Sequence, residues 1–527
     1  MEVFIPESAP FTAEQRAWLN GFVAGMLGME RSLGASTTLL PVGAVPLVTE
    51  DELPWHDPTL VLDERMKLAT GRTYPLRLMA AMGQLDCGQC GYECRSYASA
   101  IADGSEQDLG KCVPGGRETT KKVKEIVALA RTTEAPLAAV ATPASAKAPV
   151  ERGYGRDAPV PAKMVLSSAL SAAEADKETR HVVIDVSESD LHYEPGDSLG
   201  IWPQNNPDEV ELLVAILRGR GSEAVTLADG VVITARDALT RECDVRVPTE
   251  SLYALLAREA KDEADRTRLE RLAKDDGQAD TLGVHDVLDT LLEFSSARPR
   301  LGEFVAALGR MQPRMYSLAS SQRKHPGQAH LTVGVLRYER NDRTYQGAGS
   351  SFLGEHLRPG RHLSVFVQRS HAFRLPVHHE ANVIMVGPGT GIAPFRAFLQ
   401  EREAAGSRGR NWLFFGNQRR DIDFLYRDEL EDLATRRILT RMDLAFSREQ
   451  TSKVYVQHKM LEAAQELWRW ISNGAYVYVC GDAKRMAGDV DVALKQIAAA
   501  EGGMDAAGAK RYFVDLAKAG RYQRDVY

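Results

Sequence analysis

A chain of 527 residues with 44% hydrophobic and 26% charged residues reads as a soluble globular protein of roughly two to four domains. Its formal net charge of −7 argues against nucleic acid as a partner, and no run of about 18 apolar residues offers a membrane span. The opening MEVFIPESAPFTAEQ has no basic stretch followed by an apolar one, so no secretory signal is read and a reducing, cytoplasmic location is expected, where disulfides are rare.

In chain order, FTAEQRAWLNGFVAGMLG comes first. It puts Phe11, Trp18, Phe22 and Met26 at near-helical spacing, and Thr12 with Gln15 has the form of a capping box. Such a helix is marginal alone. Residues 1–50 are therefore read as a leader that packs on its own domain or docks a subunit, an oligomeric contact included. Residues 51–131 carry four of the six cysteines, Cys87, Cys90, Cys94 and Cys112, spaced C-x2-C-x3-C-x17-C. Zinc sites more often pair two C-x2-C knuckles. A triplet followed by a distant Cys-Val-Pro-Gly-Gly is closer to iron–sulfur spacing. Gly88 and Gly91 would let backbone N–H groups point at cluster sulfides. The expectation is a 4Fe–4S cluster held by these four cysteines in a small, mostly helical domain closed by ETTKKVKEIVALA; zinc and plain packing are the alternatives. Residues 132–162, rich in Ala and Pro, read as a tether.

Beyond the tether, HVVIDVSESDLHYEPGDSLGIW alternates apolar and polar residues around a Pro-Gly-Asp break, as antiparallel strands do. Residues from about 206 to 309 are largely helical in pattern, as in DEVELLVAILRG and VHDVLDTLLEF. Strand patterns return at HLTVGVLRYE and HLSVFVQRS. From Ala381 a short apolar strand, a Gly-rich turn and a helix recur in NVIMVGPGTG, NWLFFGN and AYVYVCGD, which predicts a parallel sheet with helices on its faces.

Two stretches carry chemistry. In VGPGTGIAPFRAFLQER a buried strand runs into Gly387, Gly389, Thr390 and Gly391 and then a helix, whose free N–H groups suit a pyrophosphate. The turn lies at a strand's carboxyl end, where open α/β sheets bind ligands. In RMYSLAS, Arg314 can hold a phosphate and Tyr316 can stack on a planar ring.

With GAGSSFL, FRLP, DLAFSREQTSKVYVQHKM, ELWRWI, YVYVCGDAKRMAGDV and the final RYQRDVY following in order, residues from about 160 to 527 resemble the ferredoxin-NADP reductase module of the diflavin reductases. They are most similar to the flavoprotein subunit of assimilatory NADPH-dependent sulfite reductase. The resemblance implies an antiparallel β-barrel FAD domain over 163–376 with a helical insert at about 206–309, then an α/β NADPH-binding domain over 377–527. It implies FAD contacts at Arg314, Met315, Tyr316 and Ser317, at Thr332, Val333, Gly334 and Tyr338, and at Gly347, Ala348, Gly349 and Ser350. Gly389 and Thr390 belong to the nucleotide turn. Ser447, Arg448, Lys453, Tyr455, Gln457 and Asp482 match NADPH positions, and two cations there favour NADPH over NADH. Ser317, Cys480 and Asp525 match residues beside the nicotinamide. Tyr527 matches an aromatic that covers one flavin face and moves before the nicotinamide can stack. By composition alone Cys480 would be an inert core thiol, and a terminal tyrosine a frayed end.

The N-terminal part departs from this family. Before residue 160 no strand, Ser/Thr/Gly loop and helix suited to FMN phosphate is visible. CGQCGYECRSYASAIADG resembles a small 4Fe–4S domain of electron-transfer complexes, and TAEQRAWLNGFVAGML resembles the leader of the sulfite reductase flavoprotein. The implied path runs from NADPH to FAD to the cluster and on to a partner. Sulfite reductase haemoprotein is the expected acceptor, and an assimilatory nitrate or nitrite reductase the runner-up. A zinc-bearing docking module on a diaphorase is the rival from another class.

Overall fold

The computed structural model describes residues 53–57, 60–133, 151–227, 230–274, 286–340 and 342–527. The leader helix expected at Phe11–Met26 and most of the 132–162 tether lie outside them. Residues Pro54–Tyr527 pack as one unit.

The cysteine module is helical. Its helices are Leu62–Leu68, Tyr74–Ala81, Cys94–Ala102 and Gly116–Thr133. Pro75 sits in the first turn of the second, where its missing N–H costs nothing. Glu93 caps the third through a reciprocal pair with Ser96, so that Cys94 opens the helix. Trp55, Leu78, Met79, Tyr97, Ile101, Val123 and Ile126 fill the core between them.

Six antiparallel strands follow in the spatial order Arg314–Ser317, Ser198–Trp202, His362–Gln368, Val160–Ala169, Thr179–Asp185, Gln328–Gly334. The two outer strands meet through a Leu318–Leu331 bridge, with Ala319 N donating to His330 O at 2.8 Å. The sheet therefore closes into the expected barrel. Val160, Ala162 and Met164 point inward between exposed neighbours, and Val182, Ile184, Leu199, Ile201, Leu331 and Val365 complete the interior. The first strand opens at Val160, within the stretch expected as tether. The insert packs helices Pro207–Ile216, Glu250–Glu259, Glu263–Lys274, Val287–Glu293 and Leu301–Ala307 around Leu252, Leu256, Phe294 and Phe304. Arg343 ties it to the barrel side through Asp286 at 2.7 Å, Asp289 at 2.5 Å and Glu209 at 3.1 Å.

The C-terminal sheet is wholly parallel, in the order Arg441–Phe446, Asn411–Asn417, Val383–Val386, Tyr476–Gly481, Tyr522–Val526. Its central strands are apolar without alternation because helices cover both faces. Phe395, Phe398, Leu430 and Leu433 pack on one face; Met460, Leu467, Leu494 and Phe513 pack on the other. Chain order reverses between Val383–Val386 and Tyr476–Gly481, and the carboxyl ends of these two strands form the switch point at which such sheets bind ligands.

Candidate active site

The barrel edge offers a cradle. Ser350 Oγ accepts the Leu336 N–H at 3.0 Å, which fixes the turn that begins at Gly347. A Cβ at Gly349 would lie 2.7 Å from Arg314 Cγ and 2.8 Å from the Tyr316 hydroxyl, so only glycine lets the 347–350 backbone approach the Arg314–Ser317 strand. Arg314 Nη1 donates to Gln312 O at 2.6 Å, which aims its guanidinium along that strand. Thr332 and Gly334 line the same cavity as Met315, Tyr316 and Ser317. Val333, by contrast, is fully buried in the barrel core. Tyr338 stands apart: it is exposed on the Arg337–Arg340 strand and stacks on Tyr345 with centroids 5.1 Å apart. A cavity lined by Met315, Tyr316, Ser317 and Thr332, with a glycine turn and an arginine packed on the same strand, fits a flavin dinucleotide.

Strand register brings Ser317, Cys480 and Asp525 together. Ser317 pairs with Ser198 across the barrel, and Cys480 pairs with Asp525 in the parallel sheet. Ser317 Oγ donates to Asp525 Oδ2 at 2.7 Å, and the Cys480 thiol donates to the same oxygen at 3.7 Å. Burial pushes the Asp525 carboxyl above its ordinary range, with the two hydrogen bonds pulling the other way. Cys480 is fully buried behind Asp525, and burial raises its thiol pKa strongly. Tyr527 is anchored rather than frayed. Its N–H donates to Gly481 O at 3.0 Å, its carbonyl accepts from Ala483 N at 3.1 Å, and its hydroxyl lies 2.7 Å from Thr390 Oγ1. The ring stays 54% exposed, on the wall of the cavity that Tyr316 also lines.

The glycine turn sits at the switch point. A Cβ at Gly391 would strike Cys480 O at 2.2 Å, so this glycine is needed for chain packing. Gly389, at φ +58 with open space around it, is the position a ligand could approach closely. Ser447 continues the edge strand, its N–H bonded to Asn417 O at 2.9 Å. Arg448 is ion-paired with Asp176 of the barrel domain, and Gln457 Nε2 donates to Asp489 at 3.1 Å. Tyr455 precedes the Val456–Glu462 helix and is exposed, as is Lys453. The Asp482 carboxylate accepts from Arg485 N at 2.9 Å and Met486 N at 3.2 Å, so it caps the Met486–Gly502 helix.

The cysteine loop has a different construction. Gln84, Asp86, Gly88 and Gly91 all adopt positive φ, at 59°, 44°, 65° and 89°. Two of them are not glycine, and each has a prop. Gln84 Nε2 donates to Met82 O at 2.9 Å, and its Oε1 meets His56 Nδ1 at 2.9 Å. Asp86 pairs with His56 Nε2 at 2.8 Å and accepts the Cys94 N–H at 2.7 Å. Left-handed residues alternating along a loop turn N–H groups inward, a concavity suited to anions; the Gly83 N–H donates to Cys112 Sγ at 3.3 Å. All six cysteines are free thiols. Cys112 lies within electrostatic reach of Cys87, Cys90 and Cys94. Burial pushes the Cys87 thiol up to about 12, so thiolates here need a cation to stabilise them. The buried Arg65 guanidinium faces Cys112 and Cys94, and its Nε has no hydrogen-bond partner. Among the described residues, no group of three or more His, Cys, Asp and Glu is drawn around a single point as one metal ion requires. Four thiols in one neighbourhood, inward N–H groups and a buried arginine fit an anionic cluster.

One cavity of about 950 Å³ joins the two constructions, lined by Asp86 and Cys87 on one side and by Tyr316, Ser317, Asp525 and Tyr527 on the other. Residues 155–352 match the family described as FAD binding domain, and residues 385–491 match Oxidoreductase NAD-binding domain. Over these two spans the chain is similar to flavin- and nicotinamide-binding oxidoreductase domains. Its residues 83–114 match a third family, described as "Putative Fe-S cluster". The chain is 42% identical over 374 residues to the sulfite reductase [NADPH] flavoprotein alpha-component of Shigella dysenteriae serotype 1, which covers 71% of this chain and 62% of that protein. The same component is 41% identical over 377 residues in Salmonella typhimurium and 42% identical over 374 in Escherichia coli O157:H7, with the same coverage. The chain thus spans about three-fifths of the length of the curated relatives it matches. No helix among the described residues is long and apolar enough to cross a membrane.

Sequence reasoning missed the props of the cysteine loop, His56, Gln84 and Asp86, and the packing of Arg156 on that loop. His56 lies 31 residues before Cys87 in sequence, and no local motif marks it. The Asp86–Cys87 neighbourhood was the one available signal.

Proposed function

We propose that this flavoprotein is an NADPH-oxidising electron-transfer subunit, passing electrons through FAD and a 4Fe–4S cluster to a partner reductase, the haemoprotein of a sulfite reductase. The observation that carries the reading is the shared cavity, which has the Arg314–Ser317 strand on one wall and the Cys87 loop on the other. When bound, FAD takes a hydride from the nicotinamide and releases electrons singly, which a cluster can accept one at a time. Arg314 and the 347–350 backbone hold the FAD pyrophosphate. Ser317 and Asp525 fix the nicotinamide edge of the site: the Ser317 hydroxyl proton stays on Oγ and points at Asp525 Oδ2, which gives that oxygen a single orientation. Tyr527 excludes water from the flavin face until the nicotinamide displaces it. Arg448 and Lys453 hold the 2′-phosphate, and this pair of cations supports NADPH over NADH. Cys87, Cys90, Cys94 and Cys112 would ligate the cluster, and the expected compartment is the reducing cytoplasm.

The experiment is reconstitution. Anaerobically purified subunit mixed with a sulfite reductase haemoprotein should support NADPH-dependent sulfite reduction. Cys90→Ser should abolish that while sparing NADPH oxidation by ferricyanide. Support of nitrate reductase alone would redirect the partner, and iron-free protein carrying zinc would remove the relay.

A further inference from the structure

We infer that Arg156 is a positioning residue that clamps the cysteine loop to the flavin strand, so that the cysteine module acts as a docked part of the barrel and not as a carrier swinging on a tether. The purpose of the clamp rests on the relay reading above; its geometry does not. Arg156 Nη1 donates to Gln89 O, between Cys87 and Cys90, at 2.5 Å and to Gln312 Oε1 at 2.9 Å. Its guanidinium stacks over the Trp202 ring of the barrel, 5.4 Å from the centroid. Gln89 answers in the opposite direction: its buried Nε2 donates to Pro313 O at 2.6 Å. Pro313 immediately precedes Arg314, so the loop is bonded to the strand that holds the flavin cradle.

The loop glycines acquire a second reason. A Cβ at Gly91 would meet Arg156 Cδ at 2.9 Å, and one at Gly88 would meet Gln368 Oε1 of the barrel at 2.2 Å. Both positions are pressed against the body at a positive φ, so both the backbone conformation and the close approach call for glycine there. Other links between module and body are the partly buried Asp57–Arg524 pair at 3.2 Å and the exposed Glu93–His371 pair at 3.6 Å. Pairs of that kind contribute little when solvated. The buried Gln89–Pro313 bond and the Arg156 guanidinium, stacked on Trp202 with its Nη1 bonded to both Gln89 and Gln312, decide the docking. Arg156 Nη1 also sits on the carbonyl of Gln89, the residue before Cys90, which sets its charge beside that part of the loop. A fixed cation beside a ligand sulfur favours the more negative, reduced state of whatever that sulfur ligates, which raises its reduction potential.

The test uses full-length protein purified anaerobically, with FAD, iron and zinc assayed. Arg156→Gln should raise hydrogen exchange of amides 86–92 at least tenfold while the Gln328–Gly334 strand exchanges as in the parent. It should also lower the cluster's midpoint potential. Arg156→Lys, which keeps the charge but not the planar group stacked on Trp202, should loosen the loop and restore the potential. If Arg156→Gln unfolds globally, Gln89→Ala, which deletes only the Pro313 bond, should still loosen 86–92. Parental exchange in both variants would overturn the docking, and a parental potential in folded Arg156→Gln would overturn the charge role. Zinc in place of iron would end the relay reading, and the exchange result would then decide the docking alone.

Discussion

The flavin–nicotinamide body and the cysteine module meet on one cavity, yet they hold their functional groups by different means. In the body, register does the positioning: Ser317, Cys480 and Asp525 sit on paired strands, and hydrogen-bonded ladders fix their separations. In the module, a loop with four left-handed residues presents the thiols, and side chains from elsewhere brace it. Sheet ends make a site whose geometry survives small changes. A braced loop makes one that depends on each brace, because strained backbone persists only where its surroundings over-determine it.

Steric closure in the body should give the largest effect. Gly349→Val places a branched side chain where even a Cβ would overlap Arg314 and Tyr316. The protein should fold and be isolated without FAD, as flavin absorbance will read; retention of full FAD would break the cradle. The brace in the module comes next. Asp86→Ala leaves the Cys94 N–H without its partner and removes the His56 pair, a loss of about 1–3 kcal/mol. Faster exchange confined to residues 84–94 and lower iron content should follow; a drop in FAD content as well would show that the two constructions are not separable.

The pH dependence should be smaller and should belong to the body. Burial holds the His330 pKa down at about 2 and that of His181 at about 4, with Arg396 as the next cause for both. Their rings pack edge to face at 5.0 Å, with the His325 ring tilted against His330 at 4.3 Å and the Arg396 guanidinium 3.3 Å from His330 Nδ1. Both histidines are neutral when folded and take up protons when unfolded. Stability is therefore full above the ordinary histidine range and falls as pH drops through it, by at most about 1.4 kcal/mol per pH unit for each ring until the folded value is reached. Arg396 and Tyr426, whose hydroxyl lies 3.0 Å from His181 Nδ1, come from the parallel-sheet domain and the histidines from the barrel, so melting between pH 7 and 5 should show the two domains parting. His330→Gln should flatten that profile.

Much of the body could be read from the residues alone. Short apolar strands ending in glycine announce a parallel sheet, and GPGTG sits at the end of such a strand, whereas the places of RMYS and GAGSSFL were implied by resemblance. The barrel's closure at Leu318–Leu331 was implied only by resemblance, since no local pattern reveals which edges meet. Tyr338 was expected at the flavin and instead stacks on Tyr345, a cross-strand partner seven residues away. Asp482, expected at NADPH, also caps a helix, a task that a carboxylate before such a segment commonly takes. Arg156 was hidden in an Ala/Pro-rich stretch, because its partners Gln89, Trp202 and Gln312 are brought to it only by the folded chain.

The most direct measurement of the central claim is an anaerobic rapid-mixing experiment with NADPH, following flavin bleaching and the broad iron–sulfur absorbance together. A cluster docked on the flavin cleft predicts that iron–sulfur reduction follows flavin reduction at a rate independent of protein concentration. An iron–sulfur signal that stays oxidised, or that falls only in proportion to protein concentration, would contradict it.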